Sequence, residues 1–339
     1  MADELITSPL TEQVPSPQPS PPLARGRGSC SRLLKVSMNH ILSAQIANQM
    51  SVGTRLRQFA NVCKLRIGVT IAFTALAGVA VTSGSSLTIW QIVVIGLAVL
   101  VSSAAAGGYN QFYETDLDAR MERTRSRPFV TGELAHTRAW LLALYGMVAV
   151  SVLAAAVATN VMAALYVFLG AFIYAIVYTV WLKRRTWMNI VIGGLAGSFA
   201  VLAGAAAVDP QLSAVPLLLA LVLFLWTPSH FWSLAIAMHK DYAVAGVPML
   251  PVVVGDRVAA RVVLGNTMLL VVASILPFFY GMGWIYLAGA LLGGAWFLHT
   301  NLKMVRNPTP RTAMVSFHAS LVQLTLLLTA AIVDAQFVA

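Results

Sequence analysis

Asn110, Glu114 and Asp118 stand four residues apart in the stretch GGYNQFYETDLDARMERTRSRPFVTG. If the apolar helix before them continues through this stretch, successive members rotate by about 40° on a 3.6-residue helix, and all three share one face. They then span roughly 12 Å. A row of oxygen ligands on that scale suits Mg2+, a hard ion that binds through a few carboxylates together with substrate phosphates. Asp116 points to another face. Arg120, Arg123, Arg125 and Arg127 follow directly. Carboxylates succeeded by guanidiniums suit a diphosphate, because magnesium bridges its oxygens and arginine binds them in pairs. A solvated basic loop accounts for the arginines alone, but membrane topology does not call for the acids.

A second stretch, AMHKDYAVAGVPMLPVVVGDR, sets Asp241 beside His239 and Lys240. Gly246, Pro248 and Pro251 make it irregular. Alone it is a weak signal; its weight comes from the side of the membrane on which it falls.

The elements that must position these groups follow from composition. Of 339 residues, 58% are hydrophobic and only 10% charged. A soluble domain needs about 25% charged residues to cover its surface, so the outer surface of this chain faces a lipid bilayer. The expected fold is all-α and polytopic. Nine apolar stretches approach bilayer length: 67–84, 88–109, 139–158, 161–181, 189–208, 214–237, 262–281, 283–302 and 313–333. With the N-terminus inside, the inside segments are 1–66, 110–138, 182–188, 238–261 and 303–312, and they hold 22 of the 22 Lys and Arg residues. Positive-inside asymmetry therefore supports the span count and the orientation together. It also places both candidate stretches on one side. The net charge of +10 has this topological origin, so no nucleic-acid partner is expected.

Residues 1–49 are rich in Pro, Ser and Arg and carry no long apolar run; they read as a disordered tail, followed by a membrane domain over 50–335. The tail has no secretory h-region, and Asp3, Glu4 and Glu12 argue against a mitochondrial transit peptide, which favours a bacterial plasma membrane. Met38 and Met50 are alternative starts. Cys30 and Cys63 read as free thiols.

The row Asn110, Glu114, Asp118 resembles the first motif, N-x-x-x-D-x-x-x-D, of the intramembrane aromatic prenyltransferase (UbiA) family. NQFYETDLDARMERTRSRPFVTGEL, YTVWLKRRTWMNIVIGGLAGS and LFLWTPSHFWSLAIAMHKDYAVAGVPMLPVV resemble its heme-modifying branch, over residues 60–330. Glu114 replaces the usual Asp, and Lys240 stands where relatives often have a second acid beside Asp241. The resemblance implies nine transmembrane helices around a central cavity open to the cytoplasm. It implies farnesyl diphosphate and heme B as substrates, with transfer of the farnesyl group to a vinyl group to give heme O and diphosphate, and heme A synthase as a partner. Mg2+ would be held by Asn110, Glu114 and Asp118 with Asp241 facing them. Lys64, Arg66, Arg120, Arg123, Lys183, Arg184 and Lys240 are the candidate cations for the diphosphate.

Other residues carry weaker signals. Phe172, Tyr174, Tyr178 and Trp181 read first as ordinary core and interfacial aromatics, and second as the lining of a farnesyl groove. Gly193 and Gly197 read as a small-xxx-small packing seam. Pro228, in WTPSHFW, predicts a kink. His230, two residues on, is the candidate for heme contact, against a hydrogen-bonded core histidine. Another aromatic acceptor, such as a quinone precursor or chlorophyllide, is the nearest rival; a polytopic transporter is the rival of another class.

Overall fold

The structure, a computed structural model, describes residues 52–338. The tail assigned to 1–49 lies outside the described residues. Among those residues every regular element is helical. Helix α1 (Val52–Val62) turns through Cys63 and Lys64 into α2 (Leu65–Ala80). Helix α3 (Ile89–Tyr113) is followed by two single turns, α4 (Thr115–Asp118) and α5 (Pro128–Thr131). Helix α6 (Arg138–Ala158) packs on α7 (Val161–Phe172), which runs on as a π-helix over Ile173–Leu182. Helices α8 (Asn189–Gly193) and α9 (Leu195–Val208) form one segment broken at Gly194, and α10 (Ala214–Ala237) follows. The short α11 (His239–Ala245) and α12 (Leu250–Val254) lead to α13 (Asp256–Ile275), which ends in a 3-10 turn, Leu276–Tyr280. Helices α14 (Trp284–Arg306) and α15 (Pro310–Val338) close the chain as a tightly packed pair.

A helix thus lies over each of the nine apolar stretches, and among the described residues seven of the segments are long and apolar enough to cross a membrane. The other two differ for visible reasons. Helix α2 has only 16 residues. Helix α14 has 23, but glycines, aromatics and the His299–Thr300–Asn301 run dilute its apolar character, and it ends in Lys303 and Arg306.

Close helix contact depends on small residues, though not at the predicted seam. A Cβ on Gly204 would sit 1.8 Å from the Ala75 carbonyl oxygen, and one on Gly78 would sit 2.1 Å from that of Val201. The backbones of α2 and α9 therefore touch at these two glycines, as small-residue seams in membranes allow. The expected seam at Gly193 and Gly197 is not there. Gly193 makes room for the Tyr178 ring, and nothing lies within 4 Å of a Cβ on Gly197, whose face opens into a cavity. Helix α10 runs through Pro228 as one continuous helix.

The end of the bundle away from the basic loops is held by Asp334. Its carboxylate accepts from the backbone N–H of Gly283 and, at 3.1 and 3.2 Å, from those of Ile285 and Tyr286. These are orphan donors of the first turn of α14. Asp334 is buried, so Asp334→Ala would strip acceptors from buried N–H groups. The expected cost is about 1–3 kcal/mol, read as a lower melting temperature in detergent, with Asp334→Asn falling between the two.

Candidate active site

The loops at the basic end converge. Gln111 Nε2 donates to the carbonyls of Asn61 and Val62 at 2.8 and 3.0 Å, tying the α1–α2 junction to the end of α3. Lys183, which caps the π-helix, pairs with Glu114. Leu117 and Met121 from the first loop share one buried apolar cluster with Tyr242, Ala245 and Leu250 from the second. The two stretches singled out in the sequence are therefore neighbours in space.

The row of oxygens survives the end of α3. The Glu114 N–H donates to the Asn110 carbonyl at 3.1 Å, and the Asp118 N–H to the Glu114 carbonyl at 2.8 Å. The helical ladder continues across the break, which keeps i, i+4 and i+8 on one face. All three side chains are buried. Asn110 Oδ1 accepts from Lys64 Nζ at 2.6 Å, and its amide donates to Thr179 Oγ1 at 3.1 Å. Asp118 Oδ2 accepts from Arg127 at 2.6 Å. Glu114 Oε1 is buried with no hydrogen-bond partner. An orphaned carboxylate oxygen on the same helix face as Asn110 and Asp118, whose oxygens have lone pairs to spare, fits a hard cation.

The π-helix explains how Tyr174 and Lys183 reach the same place. On a 3.6-residue helix nine residues make two and a half turns, which puts these side chains on opposite faces. With i→i+5 bonding, at roughly 4.4 residues per turn, nine residues make about two full turns. The Lys183 N–H donates to the Tyr178 carbonyl at 2.9 Å in that register. Lys64 Nζ donates to the Tyr174 hydroxyl at 3.1 Å, and Lys183 Nζ lies 5.7 Å from the centre of the Tyr178 ring.

Lys64 is the only non-glycine residue with positive φ among the described residues, at φ 48°. Lysine gains nothing from that conformation, and strain of this kind collects at functional sites. Burial, with Arg127 and Lys183 nearby, pulls its amine down to about 7. A lysine whose charge is disfavoured by burial and by neighbouring cations is prepared to receive a polyanion.

These groups form the mouth of a cavity of about 840 Å3, within the usual size range of small-molecule sites. Asn110, Gln111, Asp118, Lys64, Arg66, Arg123, Arg127, Lys183, Tyr174 and Tyr178 line it there. Below them the wall is apolar, with Val99, Tyr166, Ala200, Leu223 and Leu324 among its side chains. Val99 lies eleven residues before Asn110, about 16 Å along the helix. His230 is also in the wall.

Some expected partners are elsewhere. Arg120 and Lys240 are exposed and not part of the lining. Arg184 makes a two-pronged bond with Asp116, at 2.6 and 2.7 Å, outside the cavity. Asp241 lies in the first turn of α11, half-buried; its neighbour Tyr242 lines the cavity and Asp241 does not. Trp181 is exposed, and neither it nor Phe172 lines the cavity. Arg127, named in the sequence as one of four arginines, is the one that folds back on the acid row, because turns at Thr124 and Arg127 return the chain toward Asp118.

The Asp116 carboxyl is held below the usual carboxylate range by its bond to Arg184. Both side chains are more than a third exposed, and such pairs contribute about 0–1 kcal/mol. Asp116→Asn should therefore leave activity within a few fold and melting temperature nearly unchanged, when assayed beside the variants of the buried row.

A helical membrane bundle with a charged, acid-lined mouth over an apolar cavity defines a site for an amphiphile whose head is a polyanion. The chain belongs to the UbiA prenyltransferase family, whose model matches residues 71–327. It is 55% identical over 279 residues to protoheme IX farnesyltransferase 2 of Paramagnetospirillum magneticum, covering 82% of this chain and 97% of that one. It is 47% identical over 279 residues to protoheme IX farnesyltransferase 1 of the same organism, covering 82% and 98%. The structure of a UbiA homologue from Archaeoglobus fulgidus bound to GPP and Mg2+ superposes with a TM-score of 0.62 at 18% identity, covering 82% of this chain and 99% of that one. The chain is a multi-pass membrane prenyltransferase.

Proposed function

We propose that this protein transfers the farnesyl group of farnesyl diphosphate to a vinyl group of heme B, giving heme O and diphosphate, at the cytoplasmic face of a bacterial inner membrane. One observation carries the reading: a single cavity joins Asn110, Asp118 and a ring of cations, one of them paired with the buried Glu114 behind the wall, to a long apolar surface. The names of its relatives supply the acceptor.

Bound Mg2+ would neutralise the diphosphate oxygens and make diphosphate a better leaving group. Asn110, Glu114 and Asp118 would hold it, with Asp241 the candidate from the second loop. Lys64, Arg66, Arg123, Arg127 and Lys183 bind the remaining diphosphate oxygens and stabilise the charge that develops as the C1–O bond breaks. Tyr174 and Tyr178 offer ring faces to the allylic cation. The apolar wall seats the farnesyl chain and keeps stray water from C1. The vinyl carbon bonds to C1, and water adds to the resulting porphyrin-side cation with loss of a proton, leaving a hydroxyethylfarnesyl group.

The test is incubation of the purified protein with farnesyl diphosphate and heme B, with and without Mg2+, followed by product mass. Heme O and stoichiometric diphosphate are expected only with the metal. Prenylation of a quinone precursor or chlorophyllide in place of heme would overturn the acceptor. Uptake of a solute without diphosphate release would support the transporter instead.

A further inference from the structure

The side chains around His230 form a clamp that the diphosphate chemistry does not use. Its imidazole lies between the Trp226 indole, 4.2 Å away and tilted by 16°, and the Phe317 ring, 4.4 Å away and tilted by 27°. Both faces are covered, so only the ring edges can meet a ligand. On one edge, Nδ1 is 2.7 Å from Ser320 Oγ. That same hydroxyl is 2.6 Å from the Phe317 carbonyl oxygen. Two oxygens at this distance need a proton between them; the carbonyl has none and serine has one. Ser320 therefore donates to Phe317, and Nδ1 must carry the proton that it donates to Ser320. Trp226 Nε1 in turn donates to the Ser320 carbonyl at 2.9 Å, so the stacking indole is anchored to the same residue.

The rest of the ring edge meets the Phe231 ring, 4.9 Å away at 82°, which offers no hydrogen-bond acceptor. Nε2 has no hydrogen-bond partner among the described residues, and His230 lines the cavity. No carboxylate pairs with the ring among those residues, and an unpaired imidazolium in such an apolar wall would be costly. A core histidine held for stability alone would use both nitrogens on protein partners. A metal-binding imidazole shows the arrangement seen here: one nitrogen donates to an oxygen that fixes the tautomer, and the other presents its lone pair.

We propose that Ser320 is a positioning residue that fixes the His230 tautomer, so that Nε2 enters the cavity as the axial ligand to the iron of the heme acceptor. The inference rests on heme being the acceptor. It is tested by titrating heme B into the full-length protein in detergent and reading the Soret band and the resonance Raman iron–histidine stretch of the reduced complex. Wild type should show a histidine-ligated heme, and His230→Ala should lose that signature and regain it with added imidazole. Ser320→Ala should lower the iron–histidine frequency and weaken heme binding by about tenfold, with Ser320→Thr restoring both. A histidine signature that persists in His230→Ala, or wild-type affinity and frequency in Ser320→Ala, would overturn the assignment while leaving heme as the acceptor. Wild-type protein that binds no heme B yet prenylates another acceptor would overturn the heme reading itself, and this inference with it.

Discussion

Lys183→Met should abolish prenyl transfer and also destabilise the protein by about 3–5 kcal/mol. Lys183 and Glu114 form an ion pair in which the Glu114 side chain is 1% exposed and that of Lys183 13%. Removing one member leaves the other buried without a counter-charge, which is the costly way to break such a pair. Glu114→Gln should behave alike, since it strands the lysine between Arg127 and Lys64. The double variant Glu114→Gln/Lys183→Met removes both charges, so much of the lost stability should return, as replacing both members of a buried pair often permits. Activity should not return, because on the proposed mechanism the diphosphate would lose a cation and Mg2+ a ligand. Unfolding by SDS titration supplies the stability cycle and product mass supplies the activity. A double variant as active as wild type would reduce the pair to a structural role. Single variants as stable as wild type would mean that the pair is not buried as described.

Apolar length and the one-sided placement of Lys and Arg are summed over many residues, so they are legible in the sequence, and a helix lies over each predicted stretch. The row at 110, 114 and 118 is also legible, because i, i+4 spacing is a local property of any helix. What the sequence does not display is which distant partner each charge takes. Arg120, Arg123, Arg125 and Arg127 look equivalent in a line, and only the turn at Thr124 sends Arg127 back to Asp118. Lys183 and Arg184 are adjacent, yet one enters the site and the other pairs with Asp116 outside it. That division depends on the π-register of Ile173–Leu182, which has no marker in the residues IYAIVYTVWL. Asp334 was equally silent, since its role as a cap belongs to the packing of α15 against α14. Ser320 was silent because a serine in an apolar helix usually bonds its own backbone.

Asp118→Asn should lower prenyl transfer by about 10²–10³-fold, with much smaller loss of stability than Lys183→Met. Asp118 lies at the far end of the oxygen row and lines the cavity directly. Its side-chain partner among the described residues, Arg127, is itself 19% exposed, so the amide can still bond the guanidinium and the loop should keep its course. What the substitution removes is a charge. That weakens the hold on a divalent ion and leaves Arg127, Lys64 and Lys183 without their second counter-ion when no diphosphate is present. Two measurable signs follow. The Mg2+ concentration for half-maximal activity should rise, and farnesyl diphosphate should still bind, since the cations that meet it remain. Asp116→Asn, two residues away and facing outward, should show neither sign. If Asp118→Asn were to match wild type at limiting Mg2+, the row would be no metal site, and Asp118 would serve only to orient Arg127.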